Sequence, residues 1–192
     1  MIARSEPQMR WAPIARRWWA EVQGADQADD AHRGRDPAAV AHLRRASTPV
    51  EAIEEPTVFD LYKRLGFGQQ HIDRWLSRVA VVASVLAHIR SDVSTTESGH
   101  RRRFAEMLGG DPPLMSPLRF KRLLTAATDQ DLLTAFRRAV ALAGNKNVNV
   151  EDVAGSLLDW SDRRRMRWAF DYYGAGIAAP RPAESAPVGD EE

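Results

Sequence analysis

The sequence contains no cysteine. That absence excludes disulfides, zinc–thiolate centres and cysteine nucleophiles. It fits a reducing compartment, and a cytoplasmic protein is the expectation. Long apolar runs are missing as well. The longest uncharged one is VAVVASVLA, residues 79–87, far short of the roughly 20 residues that cross a bilayer, so no membrane association is expected. The opening MIARSEPQMR carries charges and a proline where a secretory leader needs an apolar stretch, so no leader is expected. Histidines are few: His32, His42, His71, His88 and His100 include no pair at HxxxH spacing. No metal site and no cofactor are expected from them. LGFGQQ lacks the lysine and the preceding strand of a phosphate loop. No alternating strand pattern and no internal repeat of fixed period is present.

What is present is helical periodicity. WAPIARRWWAEVQG places Trp11, Ile14, Ala15, Trp18 and Val22 on one face, and Gly24 ends it. After the polar stretch ADQADDAHRGR, Asp36 and Pro37 form an N-cap and first helical residue. That helix turns Val40 and Leu43 inward and runs to Ala46. Pro49 and Pro56 bracket a connector. TVFDLYKRLG reads as a short helix with Phe59, Tyr62 and Leu65 inward, stopped by Gly66. The longest helix is expected over about 70–93. Its middle is apolar on every side, as in the central post of a bundle.

SDVSTTESGH interrupts the pattern. RRRFAEMLGG is a short helix, and Ser116 and Pro117 open the next as cap and first residue. Thr128 and Asp131 resemble a capping box for a helix that ends at Gly144. Asn149 caps a further helix, with Val153, Leu157 and Trp160 inward. Ser161 begins the last, with Met166, Ala169, Phe170 and Tyr173 as its inward stripe. The segment from Gly174 is rich in Pro, Ala and acids and is expected to be disordered. The fold class is therefore all-α: two small packed helical bundles of about eight to nine helices, over 8–95 and 96–176. A disordered acidic tail, 177–192, follows.

Charge is sparse in sum but clustered. The net charge is +1. The tail from Ile177 holds one arginine and four acids, which leaves the body mildly basic. Arginine greatly outnumbers lysine, and doublets or triplets stand at 16–17, 44–45, 101–103, 137–138 and 163–165. The planar guanidinium suits bidentate phosphate contact. In MSPLRFKRLL, Arg119 and Arg122 lie one turn apart, opposite Phe120, Leu123 and Leu124, while Lys121 reads as solvated. Arg137 and Arg138 stand at the edge of an apolar helix, and no acid occurs between Leu132 and Lys146. A basic edge without local counter-charge suits a phosphate backbone. No recognition helix rich in Gln or Asn is present, so any contact is to backbone rather than base edges.

Two further readings come from single features. Asp159 and Asp162 in LLDWSD stand three apart, as a magnesium pair for a nuclease or as ordinary helix-end residues. Trp168 and Tyr172 share a face with Arg164 and Arg165, as a base-stacking platform or as a second packed face.

At this point several stretches resemble a known family. HLRRASTPVEAIEEPTVFDLYKRLG resembles the N-terminal signature of CasB, the small-subunit family of the type I-E CRISPR surveillance complex, Cascade. FAEMLGG, RFKRLLTAATDQDLLTAFRRAVALAG, VNVEDVAGSLLDW and WAFDYYGA follow in the family's order. The resemblance covers about residues 10–175. Phe136 departs from it, standing where the pattern has Leu before the arginine pair.

The resemblance implies a non-enzymatic, all-α protein that sits in the complex as a pair of copies beside other Cascade subunits. It implies contact with guide RNA, target DNA and the displaced strand, with cleavage left to a separate nuclease-helicase. The matching basic positions are Arg44, Arg45, Arg119, Arg137, Arg138, Arg163, Arg164 and Arg165. Arg122 joins them on charge alone. The competing reading is a protein-binding scaffold in which these arginines meet acidic neighbours.

Overall fold

The computed structural model describes residues 8–24, 36–93 and 101–174. The polar loop at 25–35 and the acidic tail expected at 177–192 lie outside the described residues. Ten α-helices account for most of the rest, and no strand occurs among the described residues. They are α1 (Gln8–Gln23), α2 (Pro37–Arg45), α3 (Pro49–Ile53), α4 (Pro56–Arg64), α5 (Ile72–Ala87), α6 (Phe104–Leu108), α7 (Pro117–Leu124), α8 (Asp129–Leu142), α9 (Val150–Leu158) and α10 (Asp162–Gly174).

Helix starts follow the short polar caps. Asp36 accepts from the Ala39 amide at 2.9 Å, Asn149 from the Asp152 amide at 3.1 Å, and Thr128 and Asp131 form the reciprocal box. Each satisfies an amide that the first turn leaves without a partner. Ser116 departs from expectation: it holds the N-cap position of α7, but its hydroxyl accepts no capping bond. Pro117 at the first position performs the start, through its fixed φ and missing N–H.

The expected connector between Pro49 and Pro56 is a helix, α3. Thr48 caps it at the Glu51 amide, and the Glu51 carboxylate accepts from the Ser47 amide at 2.7 Å. A proline at the first position starts a helix as readily as one further along ends it. The inward face of α4 is Val58, Leu61 and Tyr62, whereas Phe59 is exposed.

The central helix α5 begins after a 3-10 turn at Gln69–His71 and ends at Ala87, short of the expected Val93. Its last residues are drawn out of the helix by a partner. The Arg90 amide donates to Asn145 O at 2.7 Å, Val148 N to Ser91 O at 3.2 Å, and Val93 N to Val148 O at 3.3 Å. Asp92 and Val148 thereby form a short parallel bridge. Asn145 is delivered there by the end of α8. Gly144, at φ +72°, lets its own amide reach Ala141 O and the Asn145 amide reach Val140 O, the bonding that follows a left-handed residue after a helix.

Every residue of α5 from Val79 to Ala87 is buried, and the helix packs against α1, α2, α3, α4, α8 and α9. Burial on all sides is what its uninterrupted apolar middle dictates. α1 runs along α9, where Gly155 faces Ala12 so closely that a Cβ on residue 155 would stand 3.3 Å away. The apolar core is continuous from Ala15 of α1 to Tyr172 of α10.

The inward face of α10 reverses the expected one. Trp168, Asp171 and Tyr172 are buried, while Met166, Phe170 and Tyr173 are exposed. Trp168 is 1% exposed and Tyr172 3%. The Trp168 indole donates to Ser156 Oγ at 2.9 Å, and the Tyr172 hydroxyl donates to the Met115 carbonyl. Neither ring is open to a base, so both are core residues and no stacking platform exists there. Asp171 tolerates burial because Arg103 and Arg167 both pair with it.

Candidate nucleic-acid interface

The arginine doublets split between two jobs. Successive helical residues project about 100° apart, so one member of a doublet turns inward where its neighbour faces water. Arg44 is half-buried, and its Nε donates to the Ala87 carbonyl at 2.7 Å. That carbonyl is among the last of α5, which have no partner within the helix. Arg137 is half-buried too, and donates to Leu43 O at 2.7 Å and to Ala46 O, closing the end of α2. Arg165 donates to Ala126 O at 3.1 Å, just beyond α7, pairs with Asp162, and lies 5.9 Å from the Trp160 ring. These three guanidiniums are committed to holding helix ends.

Their neighbours are not. Arg45, Arg138 and Arg163 are exposed, as are Arg119 and Arg122. Arg164 is half-buried, near enough to Asp152 to hold that carboxyl down, although burial is the larger influence and raises it. The Asp152 carboxylate accepts from the Phe104 amide at 2.8 Å, at the start of α6.

Three of the exposed arginines converge. α7 buries Phe120 and Leu123 and turns Arg119 and Arg122 outward. α8 buries Leu132, Leu133, Phe136, Ala139 and Val140 and turns Arg138 outward. Between the two helices runs a groove of about 720 Å³, lined by Arg119, Arg122 and Arg138 together with Thr125, Thr134 and Asp131. None of the three arginines bonds a carboxylate among the described residues. Asp131 is the one acid in the lining. Its carboxyl is held below the usual range by the Thr128 hydroxyl and amide, so it remains ionised and tied to the cap of α8. The groove is thus basic on balance, floored by apolar side chains and walled by rigid helices.

Sequence reasoning did not find Thr125 and Thr134. Their hydroxyls return to their own helices, to Arg122 O at 2.9 Å and Gln130 O at 3.0 Å. Nothing in their local pattern marks them as groove residues.

Asp159 and Asp162 stand at helix ends. Asp159 holds the C-cap position of α9, and Asp162 faces solvent and pairs with Arg165. No group of three or more metal-ligating side chains occurs among the described residues. No helix among them is long and apolar enough to cross a membrane.

His88 lies beside Arg44 and Arg137. Burial, then those two positive charges, push its pKa down to about 4. It is therefore neutral in the folded chain at pH 6, where an unfolded histidine of pKa about 6.5 takes up a proton. The unfolded state binds more protons between those two values, so stability is complete above about pH 6.5 and falls as pH drops towards 4. After allowance for solvent screening, the loss attributable to His88 is about 1–2 kcal/mol. His88→Gln should flatten that part of a thermal-melt series between pH 7 and 5. An unchanged slope would remove His88 as its source.

The sequence model of the CRISPR-associated protein Cse2 family matches residues 39–173. A chain in the crystal structure of E. coli Cascade bound to a PAM-containing dsDNA target shares the fold, with a TM-score of 0.56 and 19% identity. The match covers 84% of this chain and 95% of that one. No curated protein matches this sequence.

Proposed function

The chain belongs to the CRISPR-associated Cse2 family, and we propose that it serves as a non-catalytic subunit of a type I-E Cascade surveillance complex in the cytoplasm. There it lies beside the other subunits and a second copy of itself. Its α7–α8 groove holds phosphates of the guide RNA–target duplex or of the displaced DNA strand. The observation that carries this reading is the set Arg119, Arg122 and Arg138, three outward guanidiniums in one groove with a single carboxylate among them. Arg45 and Arg163 are outlying contacts of the same kind.

The role needs no base reading. Replacing a DNA duplex by an RNA–DNA hybrid is a nearly balanced exchange, so modest backbone contacts along a rigid surface tip it. Arginine on a packed helix supplies such contacts with little ordering to do on binding.

The test is the triple change Arg119→Ala, Arg122→Ala, Arg138→Ala in the complex assembled with its guide RNA. Assembly should proceed. Target DNA affinity should fall by roughly 10- to 30-fold at moderate salt, and the log–log salt slope should become shallower by about 2 to 3. A slope identical to that of the unaltered complex would overturn the reading. A second reading, a purely protein-binding subunit, is favoured by the exposed Leu118, Met166, Phe170 and Tyr173. It predicts that the same triple change disrupts assembly instead.

A further inference from the structure

The basic groove is also where the chain leaves its last helix. The Tyr172 hydroxyl donates to the carbonyl of Met115, and Met115 lines the groove. The Phe120 ring stacks on Tyr172 with centroids 3.8 Å apart, and Tyr173 meets it edge-on at 6.0 Å. The end of α10 is thus clamped onto α7, the helix that bears Arg119 and Arg122. Residues 175–192 continue from that point with Glu184, Asp190, Glu191 and Glu192 against one arginine, Arg181.

Several other arginines are already engaged with carboxylates, although Arg45 and Arg163 are exposed without one among the described residues. Arg64 pairs with Glu21 and Asp60, Arg78 with Asp129, Arg101 with Asp92 and Glu151, and Arg103 and Arg167 with Asp171. The groove trio is the concentrated positive charge beside the exit of α10. About ten residues of extended chain reach roughly 33–36 Å, ample to bring Glu184 back over the groove.

We propose that residues 175–192 act as a built-in competitor for phosphate. In the free protein their carboxylates occupy the groove of Arg119, Arg122 and Arg138, and nucleic acid displaces them. The competition rests on the nucleic-acid reading of the groove, whereas the tail contact does not. Tethering gives the tail a local concentration in the millimolar range. Individual exposed carboxylate–arginine contacts are weak and salt-sensitive. The tail therefore discourages loose, non-specific binding without blocking a long phosphate track.

The absence of cysteine makes the contact directly measurable. A spin label on Ser185→Cys in the otherwise unaltered chain should broaden the amide resonances of Thr125, Ala135 and Leu142 at low salt. The broadening should vanish in about 1 M salt, where the Debye length is about 3 Å. It should also vanish when Glu184→Gln, Asp190→Asn, Glu191→Gln and Glu192→Gln are combined. Broadening spread evenly over other faces would overturn the tail contact.

The second arm uses a fluorescein-labelled dT oligonucleotide. The quadruple variant, whose described helices are untouched, should bind it roughly three- to tenfold more tightly than the unaltered chain at about 50 mM salt. The ratio should shrink towards one at about 200 mM. Equal affinities at low salt would overturn the competition. If neither form binds the oligonucleotide, the nucleic-acid reading of the groove fails, and the competition falls with it even where the spin-label contact persists.

Discussion

Trp168→Ala is expected to destabilise the protein by about 3–5 kcal/mol, the range for deleting a large buried aromatic. For a chain of this size that lowers the melting temperature by about 10 °C. The indole sits among Phe136, Trp160 and Phe104, with centroids at 5.1, 5.1 and 5.9 Å. Its removal opens a cavity where α6, α8, α9 and α10 meet. It also strands the Ser156 hydroxyl, which is fully buried and loses its indole donor. Trp168→Phe keeps most of the volume and loses the hydrogen bond, so about 2 kcal/mol is expected. Thermal melts measure both losses. Nucleic-acid affinity of Trp168→Phe, compared well below its melting point, should match that of the unaltered chain. A loss of affinity with an unchanged melting point would restore Trp168 as a stacking surface.

The same residue shows what periodicity alone can and cannot read. α2 and α8 are legible because their apolar residues recur on one side and their caps are local. α10 is different. Met166, Phe170 and Tyr173 make the cleaner stripe by spacing, yet they face outward. The helix is turned by groups distant in sequence: Ser156, Met115 and Arg103 supply partners for Trp168, Tyr172 and Asp171. A polar atom with a buried partner outweighs one turn of apolar spacing. The early end of α5 has a similar cause, since the strand-like pairing that unwinds 90–93 is offered by residues 145–148. Helix content, caps and the central post were therefore readable, whereas rotations set by long-range partners were not.

The arginines teach the same lesson more sharply. Uncompensated doublets mark α7 and α8 in the sequence, but they do not tell which member of each pair turns outward. Arg119 and Arg122 share a face because they are three residues apart, and both line the groove. Arg137 and Arg138 are adjacent and part company. Arg44 and Arg45 do likewise. Composition counts such doublets as two candidate contacts, while helix geometry allows each of them one.

Arg137→Ala is expected to destabilise the fold by about 2–4 kcal/mol while leaving the salt dependence of nucleic-acid binding unaltered. The side chain bridges α8 to the Leu43 and Ala46 carbonyls at the end of α2. A charged donor to a carbonyl contributes about 1.5–3 kcal/mol, and without it both oxygens lose their donor at a packed junction. Arg137→Lys should recover only part of this, because an ammonium on a flexible stem does not reproduce the fixed fork that spans both oxygens. The change has a second signature. Arg137 is the largest charge depressing His88, so its removal should move the His88 titration upward from about 4, towards the ordinary histidine value. NMR titration of the imidazole reads that shift, and denaturant melts read the stability. Arg138→Ala, one residue along, should do the reverse: no change in melting or in His88, and a shallower salt slope by about 0.7–0.9. Crossed results, with Arg137 governing the slope and Arg138 the melt, would invert the proposed division between structural and phosphate-binding arginines.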